Sequence, residues 1–434
     1  MLDRLQSHNN NNDEVVAMRA FFSAFSPITN FKHLFIRPSS NFPVLDGFRA
    51  LSMLMIIVFH TFTIYSAYHP DIELIDMIEG SGWLTAWVWN SDKSVDIFFV
   101  ISGFLITGIL LRQIEKEGKI RLGNFYWRRF LRLSPAYWFV MAIYIALNLP
   151  NVENIWANFL YVNNFIAYKD QAMNWTWTLA IEEQFYLVYP ILLMVMVNNT
   201  KNPLRWMWVL LGLSFVVRFA VIVLDERIRT TPGSMIAMDP EFHAYHFSVL
   251  YDNLYTRYGA LLCGCIAAYY YFHHETALRA FLNSSWGKFF EFASFFIIVF
   301  LMCMPVLSRQ FDDYTTLSVV YQTLSRNFYS GAIAYVALVC LEKSYLSRVL
   351  NLIFSNRFWY PLAQLSYSMY LIHVFPILLL VQNGVAAMQK YPERYDYTHW
   401  EAMWLISLYS AGLTILGAVI IYLIIERPIM NLRR

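Results

Sequence analysis

Charged residues are scarce in this sequence. Of its 434 residues, 14% are Asp, Glu, Lys or Arg, 58% are hydrophobic and 18% are aromatic, whereas a soluble protein carries about 25% charged residues. A chain so poor in charge cannot cover a surface that faces water, so the soluble and the disordered classes are excluded. A polytopic membrane protein remains, and at about 20 residues per helical crossing the length allows about ten spans.

Cysteine is also rare, and internal repeats are missing. Cys263, Cys265, Cys303 and Cys340 fall in or beside apolar runs and lack the paired spacing of zinc sites. This pattern excludes a disulfide scaffold and predicts packing residues, with no bound metal and no tightly bound cofactor. Nothing recurs at a fixed period of about 20–50 residues, so a solenoid is excluded.

Apolar segments predict an all-α bundle of about ten transmembrane helices. They lie at about 46–66, 94–112, 133–149, 177–198, 204–224, 254–272, 288–307, 317–341, 363–382 and 401–425. The aromatic stretch 155–168 is a candidate for a short interfacial or re-entrant helix, because counting it as a span reverses the orientation of all that follows.

The positions of Lys and Arg predict that both termini are cytoplasmic. With the N-terminus inside, the basic loop between the second and third spans and the basic C-terminal tail both lie on the inner side. The first outer loop carries Asp71, Glu73, Asp76 and Glu79, with no Lys or Arg between residues 66 and 82. The protein is therefore expected to be multi-pass in the cytoplasmic (inner) membrane.

The same pattern predicts three parts of the chain. Residues 1–42 form a cytoplasmic N-terminal extension, partly disordered, in which the mixed Phe and Arg/Lys residues of 15–36 suit an amphipathic segment on the membrane surface. Residues 43–428 form the transmembrane domain, and residues 429–434 form a short basic cytoplasmic tail. The net charge of +2 does not indicate nucleic-acid binding.

Ionisable residues inside the first predicted span are candidates for function. Arg49 and His60 are eleven residues apart, so on a helix they share one face and are separated by about 16 Å. An arginine at the cytoplasmic boundary and an imidazole at mid-membrane suggest that polar groups on one helix face line a route into the bundle. The alternative is a snorkelling arginine and a histidine bonded to a neighbouring helix.

The second span adds polar residues at two depths. Asp96 lies toward the outer side, while Ser102 and Gly103 fall near the depth expected for His60. Gly103 allows another helix or a ligand to approach the backbone closely. The alternatives are an ion pair with an interfacial cation for Asp96 and helix packing for Ser102.

Three arginines, Arg128, Arg129 and Arg132, stand where the cytoplasmic loop enters the third span. Arg129 and Arg132 are three residues apart and therefore neighbours on a helical surface. Guanidinium groups bind phosphate bidentately, so these residues predict a site for an anionic cytosolic ligand. The alternative is that the loop is basic for topology or for anionic headgroups.

Two further spans carry polar groups that are costly in lipid. Glu182 and Glu183 in the fourth span point about 100° apart on a helix, so only one of them can face a given pocket. His373 in the ninth span lies at mid-membrane. Neither His373 nor His60 is accompanied by a metal-binding pattern.

In this order, the segments resemble the acyltransferase-3 family of integral membrane acyltransferases. Its Arg-x10-His element matches Arg49 and His60, and its arginine pair matches Arg129 and Arg132. Its remaining elements match D-x-F-F-x-x-S-G-F from Asp96 to Phe104, W-T-L-x-x-E-x-x-F-Y from Trp177 to Tyr186, S-Y-S-x-Y-L-I-H from Ser366 to His373, and E-R-P from Glu426 to Pro428. The fourth-span motif favours Glu182 over Glu183.

The resemblance implies transfer of an acyl group, commonly acetyl from acetyl-CoA, to hydroxyls of envelope glycans such as lipopolysaccharide or exopolysaccharide. Acyl-CoA and a glycan or lipid-linked saccharide are then the expected partners, within the bilayer. Because the sequence stops after its tenth predicted span, it resembles the stand-alone members without an extracytoplasmic esterase-like domain.

The expected site combines the buried polar residues of the spans with the residues that match the family motifs. The catalytic candidates are His60, Arg49, Glu182 and Asp96. The CoA-binding candidates are Arg129, Arg132 and Arg128, and the substrate-pocket candidates are Ser102, Trp177, Tyr186 and His373. His60 would serve as general base or transient acyl carrier. The alternative function is a secondary transporter or flippase that uses the buried charges as a path.

Overall fold

The described chain folds into a bundle of helices. The computed structural model describes residues 24–39, 42–69, 72–313, 315–344, 347–391 and 397–432, and every regular element within these ranges is helical. The all-α prediction is therefore confirmed. The long helices are α1 (Pro43–Tyr68), α2 (Ser94–Glu117), α3 (Leu122–Ala146), α4 (Trp177–Asn199), α5 (Pro203–Leu224), α6 (Leu254–His273), α7 (Ser285–Cys303), α8 (Thr315–Leu341), α9 (Trp359–Ile372), α10 (Val374–Lys390) and α11 (His399–Ile421).

These helices make the chain a multi-pass membrane protein. Seven are long and apolar enough to cross a bilayer, and the bent pair α9–α10 brings the number to eight. The other two predicted spans coincide with α3, which carries several arginines, and with α6. The count of ten spans with both termini cytoplasmic stays a prediction.

The ninth predicted span is broken rather than straight. α9 and α10 meet at His373 with a bend of 61°. Pro376 in the first turn of α10 has no N–H to donate to the carbonyl of Ile372, and its ring crowds that carbonyl. The bend therefore sets His373 at a corner of the backbone in the middle of the bundle.

Two expected boundaries need correction or refinement. The third span was expected to begin near residue 133, but α3 begins at Leu122. Arg129 and Arg132 therefore lie on a helix rather than at the end of a loop; their charge hid the helical pattern. The stretch 155–168 holds only the short helix Ile155–Phe159 and 3-10 turns, so it is no span.

The N-terminal segment is described only from residue 24. It contains the helix Pro27–His33, which presents Ile28 and Phe31 outward, and Phe35 just after the helix is exposed as well. Asn431, in the C-terminal helix, donates to Asn30 and so ties this segment to the bundle. An apolar outer face suits the membrane surface, and the interfacial role stays a prediction because residues 15–23 lie outside the described ranges.

Glycines bring α2 and α6 into close backbone contact. A Cβ added at Gly103 would collide with the carbonyl of Leu261, and one added at Gly264 would collide with the carbonyl of Val100. Small residues at such crossings let helices pack closely in membranes. This packing matters because it carries Arg257 of α6 to Asp96 of α2.

Substituting alanine at this crossing is expected to destabilise the bundle. Gly264→Ala should cost about 1–3 kcal/mol, because an added methyl in a packed contact forces the backbones apart. Gly212→Ala in α5, where nothing lies within 4 Å of the new Cβ, is the matched control and should keep the wild-type unfolding temperature. The measurement is thermal unfolding of both variants in the same detergent; equal temperatures would contradict close packing of α2 on α6.

Candidate active site

Two histidines meet at mid-bundle. Nε2 of His373 lies 3.1 Å from Nδ1 of His60, and their rings are 4.9 Å apart between centroids. Nδ1 of His373 lies 2.8 Å from the carbonyl oxygen of Tyr370, and Nδ1 of His60 lies 3.1 Å from that of Ile56. The structure thus joins the candidate base of α1 to a pocket candidate at the α9–α10 bend.

Hydrogen bonds between α4 and α9 form the wall beside the histidines. The hydroxyl of Thr178 donates to the hydroxyl of Tyr370 over 2.6 Å, and Tyr370 in turn donates to the carbonyl of Trp175. The indole N–H of Trp175 donates to the carbonyl of Leu371 over 3.2 Å. These bonds fix the part of α9 that carries His373 against the start of α4.

Glu182 lies one turn further along α4, about 6 Å from Thr178 in the direction of the helix C-terminus. The hydroxyl of Ser102 donates to its Oε1 over 2.6 Å. Glu182 also interacts electrostatically with Arg49 and Arg129. The structure therefore brings together Ser102, Glu182 and the arginines; Glu183 also interacts electrostatically with Arg129, so the preference for Glu182 stays a prediction.

The basic residues form one cluster, defined here as Arg49, Arg129 and Arg132. Arg49 interacts electrostatically with Arg132, and Arg129 does so too. The guanidinium of Arg129 lies 5.4 Å from the ring centroid of Tyr186, which is itself buried. The Nε of Arg49 is buried and finds no hydrogen-bond partner within the described ranges. Like charges held together with a free donor suit an anionic ligand.

One carboxylate at the basic cluster was not assigned a role by the sequence argument. Glu426, in the E-R-P motif, interacts electrostatically with Arg132 and Arg49, and it accepts a hydrogen bond from Ser368 over 2.8 Å. It thereby joins the end of the last long helical segment to α9. The motif was the available signal, but only the fold shows which side chains Glu426 meets.

The helices place these groups at successive depths. On α4, Tyr186 marks the level of the basic cluster, Glu182 follows one turn away, and Thr178 follows after another turn, beside Tyr370. On α1, His60 stands about 16 Å along the axis from Arg49. The order is therefore basic cluster, then Glu182, then the histidine pair.

Most of the polar groups in this order retain accessible surface although they lie inside the bundle. His60, Ser102, Glu182 and all three members of the basic cluster are partly accessible, whereas His373 is fully buried. On α2, partial accessibility recurs at residues 98, 102 and 105, with buried residues between them. Spacing of four and three residues defines one helix face, so Ser102 lies on a partly accessible face of α2.

Asp96 lies in a different setting, an ion cluster. Its carboxylate pairs with Arg257 at 3.2 Å and with Arg326 at 3.0 Å, and Arg326 also pairs with Asp92. The Asp96 side chain is 1% exposed. Trp177 belongs to the same cluster, since the Arg257 guanidinium lies 5.1 Å from its ring centroid. These contacts bind α2, α6 and α8 together, and neither residue has a described contact with the histidine pair.

Removing Asp96 is expected to lower the stability of the fold and not only the rate of acyl transfer. Asp96→Ala removes the carboxylate that pairs with the buried Arg257 and leaves Arg326 with Asp92 alone; breaking a buried pair costs about 3–5 kcal/mol. Asp76→Ala is the matched control: Asp76 lies 3.6 Å from Arg309 but is 66% exposed, and exposed pairs contribute about 0–1 kcal/mol. Thermal unfolding compares them; an Asp96→Ala protein with wild-type stability and no activity would favour a catalytic role.

Arg128 is separated from its neighbours. It is exposed, whereas Arg129 and Arg132 turn partly inward. A step of one residue rotates the side chain about 100° around a helix, so adjacent positions on α3 cannot share one pocket. Arg128 is a candidate for CoA binding by sequence, but it lies outside the cluster that Arg129 and Arg132 form with Arg49.

Comparisons with known proteins also indicate an acyltransferase. The sequence profile of the acyltransferase-3 family, described as an acyltransferase domain, matches residues 42–423. The peptidoglycan O-acetyltransferase OatA of Listeria monocytogenes serovar 1/2a is 33% identical over 246 residues, which is 52% of this chain and 33% of that protein. The O-acetyltransferase OatA of Staphylococcus aureus strain NCTC 8325 is 28% identical over 251 residues, 52% of this chain and 34% of that protein.

The chain thus spans about a third of the length of these curated relatives. No solved structure matches it. The profile covers nearly the whole chain, which confirms the predicted resemblance and, with it, the assignment to the acyltransferases. The chain belongs to the acyltransferase-3 family.

Proposed function

We propose that this member of the acyltransferase-3 family moves an acetyl group from cytosolic acetyl-CoA to a hydroxyl of a cell-envelope glycan at the inner membrane. The observation that carries the proposal is the order of one basic cluster, one carboxylate and one histidine pair inside the bundle, in which all but His373 are partly accessible. We infer that a path for the donor connects them. The name of the Listeria relative includes peptidoglycan beside O-acetyl transfer, so peptidoglycan joins lipopolysaccharide and exopolysaccharide as a candidate acceptor.

The basic cluster supplies the binding step. Guanidinium groups bind phosphate oxygens through paired N–H donors, and CoA carries its phosphates at the end opposite to its thioester. With the phosphates at Arg129 and Arg132, the pantetheine arm extends past Glu182 toward His60. Arg49 adds a donor at the entrance of this path, through its unpartnered Nε.

His60 supplies the chemical step in one of two ways. As a general base, its ring takes the proton of the acceptor hydroxyl while that oxygen bonds to the thioester carbonyl carbon; the C–S bond breaks and the thiolate receives the proton. As an acyl carrier, the ring nitrogen displaces the thiolate and then passes the acetyl group to the hydroxyl oxygen; the N–C bond breaks and the hydroxyl proton goes to the thiolate. Glu182 stabilises the positive ring that both routes create.

The test is turnover by the purified chain in lipid nanodiscs. Acetyl-CoA labelled in its acetyl group is supplied with soluble fragments of the three candidate glycans, and free CoA and labelled saccharide are measured. We expect label on one saccharide, released by mild base as an ester is. Failure of every fragment, together with passage of acetyl-CoA or saccharide across proteoliposomes, would favour the transporter or flippase alternative.

A further inference from the structure

We propose that His373 is a positioning residue that accepts a hydrogen bond from Nδ1–H of His60 and, together with the Ile56 carbonyl, leaves Nε2 of His60 as the free, reactive nitrogen. The inference rests on the proposed function for its catalytic consequence. Its structural basis is the contact between the two rings at mid-bundle. It assigns a role to a histidine that the sequence argument placed only among the residues lining the pocket.

Two backbone carbonyls determine where the ring protons lie. A carbonyl oxygen can only accept, so the nitrogen that approaches it must carry hydrogen. Nδ1 of His373 lies 2.8 Å from the Tyr370 oxygen, and Nδ1 of His60 lies 3.1 Å from the Ile56 oxygen. Both neutral rings are therefore protonated at Nδ1, and the single Nδ1–H of His60 is shared between the Ile56 oxygen and Nε2 of His373.

The contact between the rings agrees with this assignment. With its proton on Nδ1, His373 presents a lone pair at Nε2, and that lone pair accepts from the Nδ1–H of His60 over 3.1 Å. The opposite arrangement of two neutral rings would turn a lone pair of each toward a carbonyl oxygen, which is repulsive. The order of donation is therefore His60 to His373 to Tyr370.

The fold holds His373 in place for this role. Its side chain is fully buried, and it stands at the 61° bend between α9 and α10. The preceding turn is tied to α4 through the Tyr370 hydroxyl, which binds Thr178 and the Trp175 carbonyl. His60 in contrast keeps accessible surface, and its Nε2 has no partner among the residues that the structure describes.

The consequence is the same for both chemical routes. Whether Nε2 of His60 takes a proton from the acceptor or takes the acetyl group from the thioester, the ring becomes positive while Nδ1–H is retained. The lone pair of His373 then accepts a hydrogen bond from a charged donor, which is stronger than one from a neutral donor. His373 thus favours the reacting state over the resting state.

The first test separates rate from binding. Leucine at residue 373 has no acceptor, whereas glutamine offers an amide oxygen to His60 and an N–H to the Tyr370 carbonyl. His373→Leu should lower kcat about 10- to 100-fold, the range of one hydrogen bond to a charged group, with an unchanged KM for acetyl-CoA. His373→Gln should restore most of the rate. In a His60→Ala background, His373→Leu should have no further effect, because it acts through His60.

The second test does not depend on acetyl transfer. Diethyl pyrocarbonate adds to unprotonated histidine nitrogens, and mass spectrometry of the intact, purified chain reports each site. We expect modification of His60 to slow at least several-fold in His373→Leu and to stay near wild type in His373→Gln, with the exposed His273 and His274 as internal standards.

The outcomes distinguish the two proposals. Unchanged kcat and unchanged His60 labelling in His373→Leu would overturn the positioning role, and so would a glutamine variant as impaired as the leucine variant. Labelling of His60 that depends on residue 373, in a chain that transfers no acetyl group at all, would instead overturn the proposed function and keep the assignment of the ring protons.

Discussion

Replacing His60 with alanine is expected to lower acetyl transfer about 10²- to 10⁴-fold, the usual contribution of a positioned acid–base group. The reason is that both chemical routes use the free Nε2 of this ring, and the described residues near it offer only His373, which is fully buried. The variant should insert and fold normally, since His60 is only partly buried. The measurement is release of CoA from acetyl-CoA at saturating acceptor.

The matched control is His274→Ala. His274 follows directly after α6 and is exposed, so this variant should retain the wild-type rate. Both proteins are compared at equal membrane abundance, so that a lower rate reports chemistry and not loss of protein. Full activity in His60→Ala would contradict the catalytic role proposed for this histidine, whether or not the roles of the other residues are confirmed.

Removing both members of the arginine pair is expected to weaken donor binding most. Arg129→Ala combined with Arg132→Ala should raise the KM for acetyl-CoA at least about 10²-fold, since each lost charge-assisted hydrogen bond contributes about 1.5–3 kcal/mol. The KM for the acceptor should change little, because the acceptor meets the thioester at the far end of the path. Steady-state kinetics with each substrate varied in turn measures both constants.

A control for charge alone is Arg205→Ala. Arg205 stands in the first turn of α5, on the same predicted side of the membrane, and is exposed. Its removal lowers the positive charge of that side without touching the path, so both KM values should stay at wild type. An arginine-pair variant with wild-type affinity for acetyl-CoA would instead leave these residues with a topological role.

The shared face of Arg49 and His60 on α1 shows what the sequence alone could predict. Eleven residues between Arg49 and His60 place both on one face of any helix, and the helix Pro43–Tyr68 spans both. The preference for Glu182 over Glu183 is likewise matched by the Ser102 contact. Such placements can be predicted because they depend on spacing within one helix and on motifs, while the roles of these residues stay predictions.

Partnerships between distant segments could not be predicted in this way. His60 and His373 are 313 positions apart, and their contact depends on a bend that no spacing rule places next to a particular residue of α1. Asp96 was expected near the reacting groups, yet α6 and α8 bring Arg257 and Arg326 to it. Nothing in the sequence of α2 reveals which cations other helices will supply.

Arg128 shows a third kind of limit. Charge density near residue 128 concealed the start of α3, so Arg128 was grouped with the neighbouring pair Arg129 and Arg132. Once α3 begins at Leu122, residues 128 and 129 point in different directions and only part of the set reaches the path. The local charge predicts an anionic ligand, but the direction in which each residue points from α3 determines which side chains can contact it.

The most direct measurement is a cryo-electron-microscopy map of the chain in nanodiscs with bound CoA. The account predicts density for the phosphates at Arg129 and Arg132 and for the pantetheine arm running past Glu182, with the sulfur near Nε2 of His60. Density for CoA elsewhere on the protein, or close-packed side chains filling the space between Arg49 and His60, would contradict it.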